Sequence, residues 1–236
     1  MLSIVVPARN EEKFIGASLE SLRKQEFTGE YEIIVVDNGS RDKTAEVAKN
    51  FGARVVYEPT PGVIQARQSG AAVATGDIII QTDADTVYPA DWLERINRFF
   101  LTHPKHVGLT GAYDYIQPVW WANLEAGLRN IVNSFAVVVS GVPLYVSGAN
   151  LAFRRDVWVE IGQYDRKSFQ PDQYGIAHQL HRFGRVKYDR KLVVHTSHRR
   201  IDKPAYVLWR EVLRNLFRAI SHYFSYLLRS IKARVS

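Results

Sequence analysis

A short apolar strand that ends in two carboxylates constrains the fold of this chain more than any other segment. Residues 78–80 are three isoleucines, and Asp83 and Asp85 follow them closely. Side chains two residues apart on an extended backbone point to the same side, so these acids can converge. Open α/β sheets bind ligands where such buried strands end, and a divalent cation bridging to a phosphate would relieve the repulsion between the acids. An Asp-rich turn explains the same residues equally well.

Strand and helix patterns alternate along the first hundred residues. Apolar, β-branched runs predict strands at 3–7, 32–36, 54–57 and 77–82, and helical periods predict helices at 13–25, from Ser40 onward and from 61 to 76. We expect Ser40 to cap the second helix. Later patterns predict a helix at 89–101, a strand at 106–113, mostly helix at 119–139, and a short helix at 177–183 before a strand ending at His195. The order predicts an α/β fold with a mostly parallel, doubly wound sheet flanked by helices.

Composition excludes some kinds of site and shows where the charge lies. The 236 residues are 46% hydrophobic, enough for a substantial core, and contain no cysteine, which excludes disulfides and cysteine-ligated zinc. No basic and apolar leader precedes the first strand, so we expect no signal peptide. Residues 199–236 hold nine Lys/Arg and two acids, a surplus equal to the whole net charge of +7. Such a segment faces an anionic partner, either a membrane surface or nucleic acid.

A long uncharged stretch runs from Asn130 to Phe153. Its length is compatible with a membrane span, but polar and turn-forming residues such as Asn133, Gly141 and Pro143 interrupt it. We therefore expect a buried or membrane-adjacent wall.

Three further polar features each have a functional and a structural interpretation. Asp37 ends the second strand before an Asn-Gly turn, where it can bind a base or ribose, or cap its own turn. The segment 7–12 can line a ligand pocket or begin a helix with acids in its first turn. Arg67 stands on a small, apolar helix, either as a surface residue or reaching toward a carboxylate or phosphate near Asp83. The glycines match neither the dinucleotide-binding fingerprint nor the P-loop.

In chain order, these segments resemble the family 2 glycosyltransferases, inverting enzymes with the GT-A nucleotide-sugar-binding fold. The matching segments are VVPARNEE (5–12), VVDNGSRDKT (35–44), ARQSG (66–70), ATGD (74–77), DAD (83–85), SGANLAFRRD (147–156) and GQYD (162–165). The resemblance covers about residues 2–196. Each motif is weak by itself, and the resemblance is specific because several of them occur in the order and at the spacing of the family.

The resemblance implies a site residue by residue. It assigns to the nucleotide-sugar donor Pro7, Ala8, Asn10, Glu11, Asp37, Arg67 and Asp83, and to the acceptor side Gly148, Ala149 and Asn150. Asp85 would bind a divalent metal, Mn²⁺ or Mg²⁺, on the diphosphate of a UDP- or GDP-sugar. His195 can complete that metal site, although a surface histidine is nearly as good an interpretation.

The same resemblance implies a catalytic base at Asp172. The family has a Glu-Asp pair there, and this chain has Pro171 in place of the Glu. The other interpretation of Asp172 is a helix N-cap, and one residue can fill both roles. The segment 179–183 resembles the Gln-x-x-Arg-Trp signature of processive enzymes but ends in Phe and stands too close to Asp172, which favours a non-processive transferase.

The C-terminal segment predicts a basic amphipathic helix. At about 100° per residue one face is apolar and the other basic. The apolar face holds Leu213, Leu216, Phe217, Ile220, Phe224, Leu227 and Ile231, and the basic one Arg214, Arg218, His222, Arg229 and Lys232. Such a helix suits an anionic membrane surface, contacted through 203–234, better than nucleic acid; a helix docked on the domain is the structural interpretation.

The sequence thus predicts a GT-A domain at 1–198 and a helical segment at 199–236. We expect an inverting, metal-dependent, non-processive transferase at the inner, cytoplasmic face of the membrane, acting on a lipid-linked or glycan acceptor. A degenerate nucleotide-binding module without catalysis and a sugar nucleotidyltransferase are the alternatives, and Pro171 is the best argument for the former.

Overall fold

The computed structural model describes residues 1–116, 120–144, 146–167 and 171–197, and the four helical positions Arg210, Arg214, Phe217 and Ser221. At 120–126, 140, 171 and 172 only the main chain is described. The predicted basic helix and the predicted domain boundary at 198 therefore lie outside the described residues, apart from those four positions.

Eight strands form one sheet in the order β3-β2-β1-β4-β7-β6-β8-β5 among the described residues. The strands are β1 (Leu2–Ala8), β2 (Tyr31–Asp37), β3 (Arg54–Tyr57), β4 (Ile78–Gln81), β5 (Thr86–Val87), β6 (His106–Tyr115), β7 (Leu151–Arg154) and β8 (Arg185–Thr196). The first four in that order are parallel neighbours, while β7 runs antiparallel to both β4 and β6. The predicted doubly wound α/β fold is confirmed, with a mixed sheet beyond β4.

Helices cover both faces of this sheet. They are α1 (Ile15–Arg23), α2 (Thr44–Asn50), α3 (Val63–Val73), α4 (Trp92–Thr102), α5 (Trp120–Ser140), α6 (Arg155–Ile161) and α7 (Ile176–His181), with a π-helical turn at Pro171–Gly175. Among the described residues, no helix is both long and apolar enough to cross a bilayer.

Strand β1 lies at the centre because both of its faces are apolar. Ile4 and Val6 belong to a core with α1 and α4, and Val5 belongs to a second core with α3 on the opposite face. A strand covered on both sides has a nearly continuous hydrophobic sequence, and in Leu2–Val6 only Ser3 is polar. Helix α3 approaches the sheet closely, since a Cβ on Gly70 would stand 2.3 Å from a methyl carbon of Val5. The two layers hold the carboxyl ends of β1, β2 and β4 along one edge.

The predicted cap of the second helix was wrong. Helix α2 begins at Thr44, and the Ser40 hydroxyl instead accepts the N–H of Asn10 at 3.0 Å. Asp42 bonds the start of the helix, because its Oδ1 accepts the Thr44 N–H at 3.0 Å. Ser40 is held in the turn before the helix, where its N–H donates to Asp37 Oδ1 at 2.9 Å.

Candidate active site

Residues predicted for the donor site converge from three parallel strands. In the register of the sheet, Ala8 at the end of β1 pairs with Asp37 at the end of β2. Beyond the end of β4, the N–H of Thr82 donates to the carbonyl of Val5 at 3.1 Å, which carries Asp83 to the same edge. The structure therefore brings Pro7, Ala8, Asp37 and Asp83 to one sheet edge, as predicted.

The loops after β1 and β2 hold each other in place. Asn10 Oδ1 accepts the N–H of Arg41 at 2.8 Å, and Thr44 Oγ1 accepts the N–H of Glu11 at 2.8 Å. Asn10 adopts a positive φ of 56°, which Asn tolerates better than most residues. In these contacts Asn10 and Glu11 shape the loop beside Ala8, and their predicted contact with the donor stays a prediction.

Asp37 bonds its own turn through one carboxylate oxygen, since Oδ1 accepts the N–H of Ser40 at 2.9 Å. The next residue, Asn38, is also buried and donates through its side chain to the carbonyls of Glu58 and Thr60 at 3.0 and 2.7 Å. This turn therefore orients Asp37 at the sheet edge. The capping interpretation is correct, and binding of a base by the same carboxylate stays a prediction.

A buried ion pair links α3 to the end of β4. The Nη2 atom of Arg67 lies 2.6 Å from Asp83 Oδ1, and the Arg67 side chain is 2% exposed while that of Asp83 is 23% exposed. Gly148 makes room for the guanidinium, because a Cβ there would stand 2.4 Å from Arg67 Nη1. The predicted proximity of Arg67 to the Asp83 edge is confirmed, and the surface interpretation of Arg67 is excluded.

The main chain of Asp83 is anchored by Tyr88. The Tyr88 hydroxyl donates to the Asp83 carbonyl and accepts the Asp83 N–H, both at 3.3 Å. Burial raises the pKa of the Tyr88 phenol, and the negative charge of Asp83 raises it further. Tyr88 is therefore a neutral hydrogen-bonding group at neutral pH.

Asp85 contacts Ser197, the residue that follows the end of β8. The Ser197 hydroxyl donates to Asp85 Oδ2 at 2.6 Å, and the Ser197 N–H donates to the Asp85 carbonyl at 3.0 Å. In the adjoining antiparallel ladder, Val87 of β5 pairs with His195 of β8. Since residues two apart on a strand share a face, His195 and Ser197 stand on the side that Asp85 occupies. The structure thus brings the two predicted metal ligands to one small surface.

His195 is oriented by a carboxylate. Its Nδ1 atom contacts Asp114 Oδ1, and the two residues are register neighbours in the parallel pair of β6 and β8. Metal-binding histidines commonly have one ring nitrogen on a carboxylate and use the other for the metal. No group of three or more His, Cys, Asp or Glu suited to a metal occurs in the described part of the chain. A metal on Asp85 and His195 would take its other ligands from phosphate oxygens and water, and the metal role of both residues stays a prediction.

Asp172 lies in the π-helical turn that precedes α7, and this turn contacts α3, the helix that bears Arg67. Its main chain therefore lies beside the helix that forms the ion pair. The side chain of Asp172, on which its predicted role as base depends, lies outside the described residues.

The acceptor-side prediction falls on the loop before β7, where Asn150 connects three elements. Its Nδ2 donates to the carbonyls of Ala112 and Leu192 at 2.9 and 2.8 Å, and its Oδ1 accepts the indole N–H of Trp92 at 3.1 Å. Asn150 is fully buried, as is its neighbour Ala149. This places Asn150 as a bridge between β6, β8 and α4, and direct contact with an acceptor stays a prediction.

Asn150→Ala should lower the free energy of unfolding by about 3 kcal/mol, since it leaves two buried carbonyls and an indole N–H without their partner. Urea unfolding followed by circular dichroism measures the loss. Asn50→Ala, at an exposed position ending α2, is the control and should change stability little. A cost as small for Asn150→Ala as for the control would contradict the bridging role.

Three residues of the site were missed by the sequence reasoning: Tyr88, Asp114 and Ser197. Strand β6 was predicted to end at Tyr113 but continues to Tyr115, so Asp114 is an acid at the end of a strand, a signal already used for Asp37 and Asp83. Ser197 follows His195 by two residues, and the rule that residues two apart on a strand share a face, used for Asp83 and Asp85, would also have placed Ser197 beside His195. Nothing local to Tyr88 indicates its hydrogen bonds with Asp83.

Known structures share this fold. A mannosyltransferase from Pyrobaculum calidifontis, solved in complex with GDP-Man and Mn²⁺, superposes with a TM-score of 0.74 at 19% identity, covering 97% of this chain and 64% of that one. Glucosyl-3-phosphoglycerate synthase from Mycobacterium tuberculosis, in complex with Mn²⁺, UDP-Glc and phosphoglyceric acid, gives a TM-score of 0.63 at 22% identity, covering 93% and 79%. At these identities the likeness shows the GT-A fold.

Sequence relatives and a family profile agree with that fold. A PGL/p-HBAD biosynthesis glycosyltransferase of M. tuberculosis is 34% identical over 110 residues, 44% of this chain and 43% of that protein, so the match spans less than half of the relative. An uncharacterized glycosyltransferase of the same species is 40% identical over 172 residues, 72% of this chain and 75% of that protein. The profile of glycosyl transferase family 2 matches residues 3–193, most of the chain. With this match, the chain belongs to glycosyl transferase family 2.

Proposed function

We propose that this protein transfers one sugar from a nucleotide-sugar donor to an acceptor hydroxyl, with inversion at the sugar carbon and with a divalent metal. The observation that carries the proposal is that Asp37 and the Arg67–Asp83 ion pair lie at one sheet edge, with Asp85 two residues after Asp83. Family membership supports the reaction class. The structural neighbours solved with GDP-Man, UDP-GlcNAc or UDP-Glc support a UDP- or GDP-sugar as donor.

The residues around β1 and β2 would hold the nucleoside. Asp37 is buried and oriented by its turn, so it can accept hydrogen bonds from a base without losing further side-chain freedom. Pro7 and Ala8 are small and rigid, which lets a flat ring approach the strand end. Arg67 keeps Asp83 charged and directed toward the donor, because a nearby guanidinium favours the ionised carboxylate.

Asp85 and His195 would hold the metal, Mn²⁺ or Mg²⁺. When bound, the metal neutralises the charge that develops on the leaving nucleoside diphosphate. The contact of His195 Nδ1 with Asp114 presents Nε2 as the metal-binding nitrogen. Ser197 restrains Asp85 Oδ2, which orients the carboxylate.

Asp172 would act as the catalytic base. An acceptor hydroxyl is a weak nucleophile until its proton is removed in the transition state. The acceptor oxygen forms a bond to the sugar carbon as the bond to the donor phosphate breaks, and the proton moves to Asp172. One base and one displacement invert the centre, so no nucleophile from the protein is needed. A single sugar is transferred each time.

The acceptor would be lipid-linked or a glycan, reached at the inner, cytoplasmic face of the membrane. The support is the charge surplus of residues 199–236. Of its described positions, Arg210, Arg214 and Phe217 are helical and exposed, and Phe217 follows Arg214 by three residues. Arginine beside an exposed aromatic suits an anionic lipid surface.

Calorimetric titration with a panel of nucleoside diphosphates and nucleotide sugars, with and without Mn²⁺, tests the donor site. We expect one nucleotide to bind only with metal, and Asp85→Ala to weaken that binding by about tenfold or more, since a metal ligand is lost. Asp91→Ala, at an exposed acid before α4, is the matched control. If no nucleotide bound the wild type, the transferase proposal would be wrong.

A further inference from the structure

Helix α5 turns its large polar residues toward the protein and leaves five large apolar residues exposed. Arg129 and Asn133 are buried, and Asn130 is half-buried beside them. An ordinary surface helix has the reverse arrangement, because its apolar side packs on the core. The inverted orientation of α5 therefore needs a partner to cover its outer face.

Specific contacts fix this orientation. Arg129 Nη2 donates to the carbonyl of Tyr113 at 2.9 Å, and the guanidinium carbon lies 3.7 Å from the centre of the Tyr113 ring. The Tyr188 hydroxyl donates to Asn130 Oδ1 and also interacts with Asn133, while burial raises the pKa of Tyr188. These contacts tie α5 to β6 and β8. Rolling the helix to hide its apolar side would break all of them and leave buried polar groups unpaired.

The outer face of α5 bears an apolar stripe, with the exposed Ser134 at its border. Ile131 and Phe135 are each 68% exposed and Val138 is 84% exposed. With their exposed neighbours, the residues of the α5 stripe are Leu128, Ile131, Phe135, Val138 and Val139. Their spacing of three and four residues keeps them on one side over about 16 Å of helix. Contiguous exposed apolar surface of this kind marks an interaction site.

We propose that the α5 stripe is a membrane-contact surface that lies in the outer part of a lipid bilayer. This inference rests on the proposed function, because the acceptor that the membrane contact would bring to the site is the one proposed there. A stable interface between two protein chains uses roughly 20–30 residues on each side, far more than this narrow stripe offers. Lipid chains cover an uncharged helix face without the shape-matched side chains that a protein partner must supply. The charge surplus at 199–236 complements the anionic headgroups of a bilayer.

The position of α5 relative to the active site supports the same partner. Tyr113, which Arg129 contacts, precedes Asp114, the carboxylate that orients His195. The stripe therefore lies on α5, the helix that Arg129 attaches to the end of β6. The same end of β6 bears Asp114, beside the proposed metal ligand His195. Contact of this helix with a bilayer would place the acceptor side of the site next to the lipid surface.

Single-site fluorescent labelling tests the proposal cleanly, because the full chain contains no cysteine. Val138→Cys is labelled with an environment-sensitive nitrobenzoxadiazole probe and mixed with vesicles of phosphatidylcholine and phosphatidylglycerol. Leu101→Cys, at an exposed position ending α4, carries the same probe as the control. We expect a several-fold rise in emission at 138, quenched by nitroxide-labelled lipid, and little change at 101.

A second measurement separates the stripe from the C-terminal segment. The triple variant Ile131→Gln/Phe135→Gln/Val138→Gln should lower vesicle partitioning at high salt by about tenfold or more, since apolar contact is lost while charge is unchanged. Leu101→Gln/Val159→Gln is the control, with exposed apolar residues replaced on other helices.

Two outcomes would overturn the proposal. One is flotation of the protein with vesicles but no change in emission at 138, and the other is a rise in emission with protein concentration in the absence of lipid. Donor titration without vesicles checks the proposed function separately.

Discussion

Arg67→Met should lower the free energy of unfolding by about 2–3 kcal/mol, less than for a fully buried ion pair, because the Asp83 carboxylate left behind is partly exposed. Methionine fills most of the volume of the arginine stem, so the loss comes mainly from charge. Asp83 would keep a carboxylate at 23% exposure with its 2.6 Å partner gone. Guanidinium denaturation at neutral pH measures the change, and calorimetric titration should show that nucleotide binding falls with it.

The pair of Arg54 and Glu32 provides a control in which the arginine, unlike Arg67, is exposed. Its nitrogen and oxygen are 3.7 Å apart and the Arg54 side chain is 52% exposed, so Arg54→Met should cost less than about 1 kcal/mol. The double variant Arg67→Met/Asp83→Asn should recover part of the loss, because it also removes the charge that Arg67 neutralised. Equal costs for Arg67→Met and Arg54→Met would show that the buried pair does not stabilise the fold.

Asp172→Asn should reduce sugar transfer by about 10²–10⁴-fold, the usual contribution of a general base, while nucleotide affinity changes by only a few-fold. Asparagine keeps the size and the capping ability of the residue but cannot take the acceptor proton. Transfer is measured by release of nucleoside diphosphate, and affinity by calorimetry of the same preparation. Asp189→Asn, which removes a surface acid on β8, should leave both quantities unchanged.

The donor affinity of Asp172→Asn distinguishes the two interpretations of Asp172, a catalytic base or a binding and capping residue. If Asp172→Asn bound the nucleotide much more weakly than the wild type, the residue would be a binding or capping residue. Pro171, which replaces the acid of the family motif, stands at the start of the same π-helical turn. Full transfer activity in Asp172→Asn would mean that another group accepts the proton.

The parts of the fold predicted from sequence are those with local causes. The run of isoleucines at 78–80 predicts a buried strand because each residue is apolar and β-branched, and β4 occupies Ile78–Gln81. The Pro61-Gly62 pair predicts the start of α3, which begins at Val63. The boundary of α2 was wrong because Asp37 and Asn10 hold Ser40 in a turn, and those contacts come from two other segments.

The candidate site also has features with local causes, which the sequence predicts, and features that depend on packing between distant segments. That acids at the ends of β2 and β4 lie near one another follows from parallel strands sharing an edge. The pairing of Asp114 with His195 depends on the register between β6 and β8, which shifts between Gly111 and Ala112 and which no local pattern contains. The prediction of a buried or membrane-adjacent wall at 130–153 did not include the orientation of the helix in it.

The sequence by itself determined the alternation of strands and helices, the strand ends that bear carboxylates, and the family. These properties depend on side-chain type and period along a few consecutive residues. Only the tertiary structure decided that Gly148 leaves room for Arg67, that Ser197 holds Asp85, and that α5 faces outward with its apolar side. Those contacts join residues far apart in the chain. Their geometry is set by how strands and helices pack, and packing is a property of the whole molecule.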